Sequence, residues 1–234
     1  MIDVHAHILP NVDDGSDDTL TSLDMLREAE KQGVTDIVLT PHHRVDFRTK
    51  KEVLLSAFAD FKAKAADAGI TTKLYLGQEI YAFEHLGNEI ANGKYLPLNS
   101  ENGGKYVLLE FSSTRESEIV ETAYDVSVHG FIPVIAHIER YPYADLNVAA
   151  EVKDMGGLIQ VNAGAVTGDG GKFFKKKVLS YLKADLVDLV ASDIHSFRPN
   201  RMFDAYRFVA KKFGTERAER LFYLNALPII GKQA

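Results

Sequence analysis

The sequence predicts an α/β protein of parallel β/α units, and three observations carry that expectation. Short, mostly apolar runs alternate with stretches of ten or more residues at helical spacing, the order that β/α units impose. Most of the runs lack a polar face, as strands covered by helices on one side and packed inside on the other must. Seven such runs recur at similar spacing, which suggests a barrel, and no internal repeat, linker or low-complexity stretch divides them. Residues 1–234 are therefore expected to form a single domain. A doubly wound open sheet has the same element order and remains the alternative, because order alone does not say whether the last strand pairs with the first.

The first run is Ile2-Asp3-Val4-His5-Ala6-His7-Ile8-Leu9-Pro10. Its period of two puts His5 and His7 on one face. Asn11 to Ser16 reads as a loop, with Ser16 as N-cap of a helix whose first turn carries Asp17 and Asp18 and which Gly33 stops. Val34 to Leu39 is the second run and leads to Thr40-Pro41-His42-His43. A helix from Lys51 to Ala68 ends at Gly69, and Lys73 to Gly77 leads to Gln78-Glu79. After a short helical stretch around His85 to Ala91, Tyr106 to Leu109 leads to Glu110. A helix over Glu116 to Val128 precedes Phe131 to Ala136, which leads to His137. A helix over Leu146 to Lys153 precedes Gly157 to Val161, which leads to Asn162. A helix over Lys172 to Leu182 precedes Val187 to Ala191, followed by Ser192-Asp193-Ile194-His195. Helices over Asn200 to Phe213 and Thr215 to Leu224 close the chain, with Pro228 beyond them.

Composition excludes several classes of function. A formal net charge of -6 and a pI near 5.8 argue against nucleic acid or an anionic membrane as partner, since both need clustered Lys and Arg. The local basic run Lys172, Lys175, Lys176 and Lys177 reads as one solvated helix face. There is no cysteine, so thiolate chemistry and disulfides are absent and any metal is held by nitrogen and oxygen. No long uncharged apolar stretch spans a bilayer, and the N-terminus lacks a basic-then-apolar signal pattern; the expectation is a cytoplasmic protein that is not membrane-embedded. Its oligomeric state, homo-oligomer or monomer, is left open.

The chemistry lies where the runs end. Active sites of parallel barrels sit at the C-terminal ends of the strands. Here those ends carry His5 and His7, His42, Glu79, Glu110, His137, Asn162, and Asp193 with His195. Five of the eight histidines fall at these ends; His43, His85 and His129 read as a neighbour of the site, a surface loop and a helix terminus. Glu79 has the alternative of a solvated carboxylate, Glu110 that of an arginine partner, and Asp14 that of capping the first helix together with Ser16. As ligands, the five imidazoles and four carboxylates of this set, Asp14 included, are too many for one ion and enough for two or three divalent metals. Clusters of that kind hydrolyse phosphate esters, activating water and stabilising the in-line transition state. A phosphoryl group also calls for arginine, whose planar fork matches its oxygens. Arg140 follows His137 closely, and Arg198 and Arg201 follow His195.

Taken in order, IDVHAHILPNVDDGS, TPHH, GQEI, LLEF, IAHIERY and SDIHSFRP resemble the PHP (polymerase and histidinol phosphatase) superfamily. They most resemble its manganese-dependent bacterial protein-tyrosine phosphatases encoded with capsule and exopolysaccharide genes. The resemblance covers nearly the whole chain. It implies a distorted TIM-like (β/α)7 barrel around a trinuclear Mn²⁺ site, with Fe²⁺ or Zn²⁺ also compatible with the donors. Carried over by position, His5, His7, Glu79 and Asp193 hold one ion, and Glu79 bridges to a second held by Glu110 and His137. Asp14, His42 and His195 hold the third. Arg140 and Arg198 would bind the phosphoryl group, with Arg201 the alternative to Arg198. The implied substrate is a phosphotyrosine protein, above all the tail of a cognate tyrosine kinase. A PHP phosphatase for a small phosphomonoester such as histidinol phosphate is the competing reading. The aromatic side chains Phe47, Tyr81, Phe83 and Tyr141 are expected near the mouth, either against a tyrosyl ring or in ordinary packing.

Overall fold

A computed structural model describes residues 1–233. Every strand pairing in it is parallel. The chain runs β1 (Ile2–Ala6), α1 (Thr19–Lys31), β2 (Asp36–Leu39), β3 (His42–His43), α2 (Lys51–Asp67), β4 (Lys73–Leu76), β5 (Glu79–Tyr81), α3 (Leu86–Ala91), β6 (Tyr106–Glu110) and α4 (Ile119–Val128). It continues through β7 (Ile132–Ile135), α5 (Leu146–Asp154), β8 (Leu158–Asn162), α6 (Ala163–Thr167), α7 (Lys172–Lys183), β9 (Leu189–Ala191), α8 (Met202–Phe213) and α9 (Thr215–Phe222).

The nine strands are seven staves. Pro41, which has no N–H to give a ladder, interrupts one stave between β2 and β3, and Gly77-Gln78 interrupts the next between β4 and β5. Below the breaks the order is β1-β2-β4, and above them it is β3-β5-β6-β7-β8-β9. Residues 96–98 are wedged into the gap between β4 and β6: the Gln78 amide donates to the Leu96 carbonyl at 3.0 Å, and the Leu98 amide to the Tyr106 carbonyl at 2.7 Å. Gly77 is required there, because a Cβ would lie 2.9 Å from Leu98 Cα. This inserted segment is what distorts the barrel.

The last stave meets the first. The Asp193 amide donates to the His5 carbonyl at 2.9 Å and the His7 amide to the Ile194 carbonyl at 3.0 Å, around a parallel bridge between Ala6 and Ile194. Closure decides for the curled barrel over the open sheet. It also removes the exposed strand edges that an open sheet would present.

Two apolar layers hold the fold. Outside the staves, Ile37, Leu39, Val107, Leu109, Ile135, Ile159 and Val190 are buried beneath the helices. Inside, Ile2, Val4, Val38, Leu108, Val134 and Leu189 pack against Ala226, Leu227, Ile229 and Ile230 of the C-terminal segment. That segment sits at the N-terminal end of the barrel, since Lys232 pairs with Asp36 at the start of β2 at 2.7 Å and Asn225 donates to the Asp188 carbonyl, just before β9, at 2.9 Å. Each such fully buried aliphatic side chain contributes about 1.5–3 kcal/mol.

Three local expectations change. Asp18, not Ser16, caps α1, accepting from the Thr21 amide at 2.8 Å, so Asp17 and Asp18 precede the first turn rather than lying in it. Ser16 turns inward, where its hydroxyl accepts from Ser22 Oγ at 2.8 Å. The helix expected from Glu116 begins at Ile119. A short helix, α6, follows β8 directly and has no counterpart in the sequence reading, because five residues are too few to show a period.

Candidate metal centre

The upper half of the barrel interior is polar because β1 changes register. Asp3 pairs with Ile37 but Ala6 with Leu39, so β1 carries one extra residue between them. Strict alternation would put His5 and His7 opposite Ile2 and Val4. The bulge lets Ile2 and Val4 join the interior apolar cluster while His5 and His7 also face inward and Ala6 and Ile8 pack outside. One strand thus serves both the apolar floor and the polar chamber above it.

All nine side chains proposed as ligands from the sequence converge in that chamber. His5 Nε2 lies 3.3 Å from Glu79 Oε1 and 3.6 Å from Asp193 Oδ1; His7 Nε2 lies 3.3 Å from Glu79 Oε2 and 3.5 Å from Asp193 Oδ1. His137 Nε2 approaches Glu79 Oε1 to 2.8 Å. On the other side, His42 Nδ1 is 2.8 Å from Glu79 Oε2 and 3.5 Å from Glu110 Oε2. Asp14 Oδ1 stands 3.6 Å from both His42 Nε2 and His195 Nε2. Four groups of three have their ligand atoms within 4.8 Å of one another: His7, His42 and His195; His5, Glu79 and His137; His5, His7 and Asp193; and His42, Glu79 and Glu110. Asp14 is therefore not a helix cap, and Glu110 has no arginine partner in ion-pairing range among the described residues.

Backbone geometry is bent to this end. His137 and Asp193 hold positive φ values of 31° and 49°, a conformation rare for residues with a Cβ and typical of functional sites. Gly15 lets the Asp13-Asp14 loop fold onto the end of β1, where a Cβ would lie 2.1 Å from the His7 carbonyl oxygen. The loop is tied across the barrel by the Ser196 amide, which donates to the Gly15 carbonyl at 2.7 Å.

A second layer fixes the imidazoles, and the sequence reading missed it. His7 Nδ1 meets Asp13 Oδ2 at 2.8 Å, His5 Nδ1 meets Gln160 Oε1 at 3.1 Å, and His137 Nδ1 meets the Tyr141 hydroxyl at 3.1 Å. Each contact directs Nε2 inward, the usual support of a metal-ligating histidine. Asn162 donates to Asp193 Oδ2 at 2.8 Å and takes Gln160 Nε2 at the same distance. Asn162 stands among the strand-end residues read from the sequence, whereas Gln160 carries only the signal of an amide within the apolar run GLIQV and is not among them. Tyr141, expected near the mouth, is fully buried behind His137 instead.

Electrostatics show a chamber short of positive charge. Burial and then the Glu79 carboxylate push the Glu110 carboxyl up to about 8. Burial and Arg140 lower His137 to about 4; burial and His7 lower His195 to about 3, so both are neutral donors at physiological pH. Burial would raise Asp193, but Arg140 and the imidazoles hold it well below the carboxylate range. Asp14 Oδ1, His42 Nδ1, Glu79 Oε2 and Glu110 Oε2 are buried and make no well-aligned hydrogen bond, even where His42 Nδ1 and Glu79 Oε2 come within 2.8 Å. Orphaned donor atoms of this kind, all facing one space, fit divalent cations.

The arginines separate cleanly. Arg140 Nη2 contacts Asp193 Oδ2, and Arg198 Nη1 reaches the same oxygen at 3.0 Å. Arg201 points away, with Nε 2.6 Å from Asp169 and Nη1 3.6 Å from Asp204. Arg140 and Arg198 line a cleft of about 420 Å³ whose apolar wall is Ala165, Phe174 and Pro199.

Residues 1–231 match the family model for capsular polysaccharide synthesis proteins CpsB/CapC. The chain belongs to this family. Among its CpsB/CapC relatives, the tyrosine-protein phosphatase CpsB of Streptococcus pneumoniae is 36% identical over 248 aligned positions, covering 100% of this chain and 99% of the relative. The tyrosine-protein phosphatase YwqE of Bacillus subtilis is 32% identical, over 92% of this chain and 86% of its own length. A chain from the crystal structures of YwqE from B. subtilis and CpsB from S. pneumoniae, described as unique metal-dependent tyrosine phosphatases, superposes with a TM-score of 0.91. It is 30% identical and covers 100% of this chain and 96% of its own.

Proposed function

We propose that this CpsB/CapC protein is a metal-dependent protein-tyrosine phosphatase that acts on a bacterial tyrosine kinase controlling capsular or extracellular polysaccharide synthesis. The observation that carries the reading is the set of four orphaned, buried donor atoms facing one chamber, with two arginines beside it. The named activity of the similar CpsB and YwqE proteins supports it.

In this proposal His5, His7, Glu79 and Asp193 would hold one ion, Glu79, Glu110 and His137 would hold a second, and Asp14, His42 and His195 would hold a third. Mn²⁺ is the proposed metal; nitrogen and oxygen donors admit Fe²⁺ and Zn²⁺ as well. Bound divalent ions would supply Lewis acidity and lower the pKa of water toward neutrality, which is the chemistry a hydrolase needs there. The chain's own part is to position. Arg140 and Arg198, now both against Asp193 Oδ2, turn their remaining donors to the phosphoryl oxygens. The wall formed by Ala165, Phe174 and Pro199 receives the ring. Asp13, Gln160 and Tyr141 keep the imidazoles aimed inward. No cysteine exists to form a phosphoenzyme. The tyrosine leaving group has a conjugate acid of pKa near 10, so it departs with less protonation than an alkoxide needs. All 234 residues are proposed to serve as one catalytic domain, working in the cytoplasm. Among the described residues, no helix is long and apolar enough to cross a membrane.

Phosphate release from a phosphotyrosyl kinase-tail peptide, measured with metal-free protein and with Mn²⁺, Fe²⁺ or Zn²⁺ added, tests the reading. Turnover should vanish with chelation and return best with Mn²⁺. Turnover that survives chelation overturns it, and so does a rate on histidinol phosphate far above that on the peptide.

A further inference from the structure

A second cleft adjoins the metal centre and plays no part in the chemistry above. It encloses about 400 Å³ and is lined by Arg44, Arg48 and Lys94 on one hand and by Tyr81, Phe83 and Tyr95 on the other. No carboxylate lines it, in a chain that carries 33 acidic against 27 basic residues. Its aromatic floor is ordered by edge contacts: Phe83 and Tyr95 have centroids 5.9 Å apart, and His43 stands 4.7 Å from Tyr95. Lys94 Nζ lies 5.7 Å from the Tyr95 ring centroid.

The cleft borders the chamber. Arg44 Nη2 donates to Asp14 Oδ2 at 3.1 Å, His43 follows His42 on β3, and Tyr81 is paired with Glu110 across β5 and β6. An extended peptide advances about 3.3 Å per residue, so a chain leaving the chamber in this direction crosses the cleft within its next few residues. Arg44 and Lys94 each have an acidic neighbour, Asp14 and Glu89, whereas Arg48 has no ion-pair partner among the described residues. Arg48 is exposed at the rim of the cleft, and a solvent-facing cation without a partner beside aromatic rings matches the carboxylate of an incoming chain.

We infer that this cleft is a docking subsite for acidic residues flanking the phosphotyrosine of the protein substrate. The inference rests on the phosphatase reading and deepens it. The two arginines at Asp193 recognise any aryl phosphate; the second cleft separates a protein substrate from a small one. Three cations in one pocket of an otherwise acidic protein suit an acidic peptide, whereas nucleic acid or an anionic bilayer needs a broad basic face that the net charge of -6 opposes.

The test compares matched phosphotyrosyl peptides bearing Glu or Ala at the three positions on either side, using Mn²⁺-loaded protein. p-Nitrophenyl phosphate, too small to reach the cleft, is the reference. Wild-type protein should favour the Glu peptides about three- to fivefold in kcat/KM for each engaged charge, through KM rather than kcat. Arg48→Glu should abolish or invert the preference while p-nitrophenyl phosphate turnover and melting temperature stay unchanged, and Arg48→Ala should fall between. A wild-type ratio of one, or an unaltered ratio in Arg48→Glu, overturns the docking subsite and leaves the phosphatase standing. Metal-loaded wild-type protein inactive on every phosphotyrosyl substrate overturns both.

Discussion

The two ends of the barrel interior are made by the same strands and do opposite things. At the N-terminal end, Ile2, Val4, Val38, Leu108, Val134 and Leu189 meet the C-terminal segment in a closed apolar layer. At the C-terminal end, buried carboxylates and imidazoles crowd one another with orphaned atoms between them. Apolar burial is favourable without any partner, while a buried carboxylate beside another is unfavourable until a cation arrives. The floor therefore carries the stability of the metal-free fold, and the chamber is a destabilised region that a bound cation would stabilise.

Changes at the two ends should separate stability from activity. The largest expected effect is at the chamber: Asp193→Ala should lower kcat/KM for a phosphotyrosyl peptide by on the order of 10³-fold or more, since it removes a carboxylate shared by three histidines and both arginines. The metal-free variant should stay folded by circular dichroism. Unfolding of that variant would break the comparison. At the floor, Leu227→Ala should destabilise by about 2–4 kcal/mol in denaturant melts, with activity per folded molecule retained. Gln160→Leu, which releases His5 Nδ1 and the His137 amide, should weaken metal affinity by about 10–100-fold in titrations against a competing chelator.

Titration sharpens the same contrast. Glu110 ionises near 8 in the metal-free fold against its ordinary 4.5, so the folded state favours the protonated carboxyl. Its contribution to stability is complete below about 4.5 and is lost as pH rises through about 8. Metal-free protein should therefore melt lower at pH 8 than at pH 5.5 on this account, and Glu110→Gln should flatten the difference. Added Mn²⁺ should raise the melting temperature most at the higher pH, where it need not displace the proton. The smallest effect is Arg201→Ala, expected to change kcat/KM less than about twofold, because Arg201 pairs with Asp169 and Asp204; Arg198→Ala should cost about 100-fold.

Much of the chamber was legible because strand ends mark it. A histidine or carboxylate that terminates an apolar run is conspicuous, and the pairs His5/His7 and Asp193/His195 repeat one spacing. Asp13 was not legible: it lies beside Asp14 in a loop, and nothing in DDG says which carboxylate meets His7 and which faces His42 and His195. Tyr141 was misplaced for the same reason, since aromatic residues near a site are drawn equally to its mouth and to its support. Arg198 and Arg201 differ only by which carboxylate each finds, Asp193 or Asp169, and those lie on different loops.

The sequence by itself determined the alternation of strands and helices and the identity of the imidazoles and carboxylates that meet in the chamber, because periodicity and residue chemistry are local properties. Tertiary structure alone decided that the ring closes between β9 and β1, that a bulge in β1 lets apolar and ligand residues share one interior, and which nitrogen of each imidazole faces inward. Those outcomes depend on hydrogen bonds between residues far apart in the chain, and no local pattern encodes the partner at the other end.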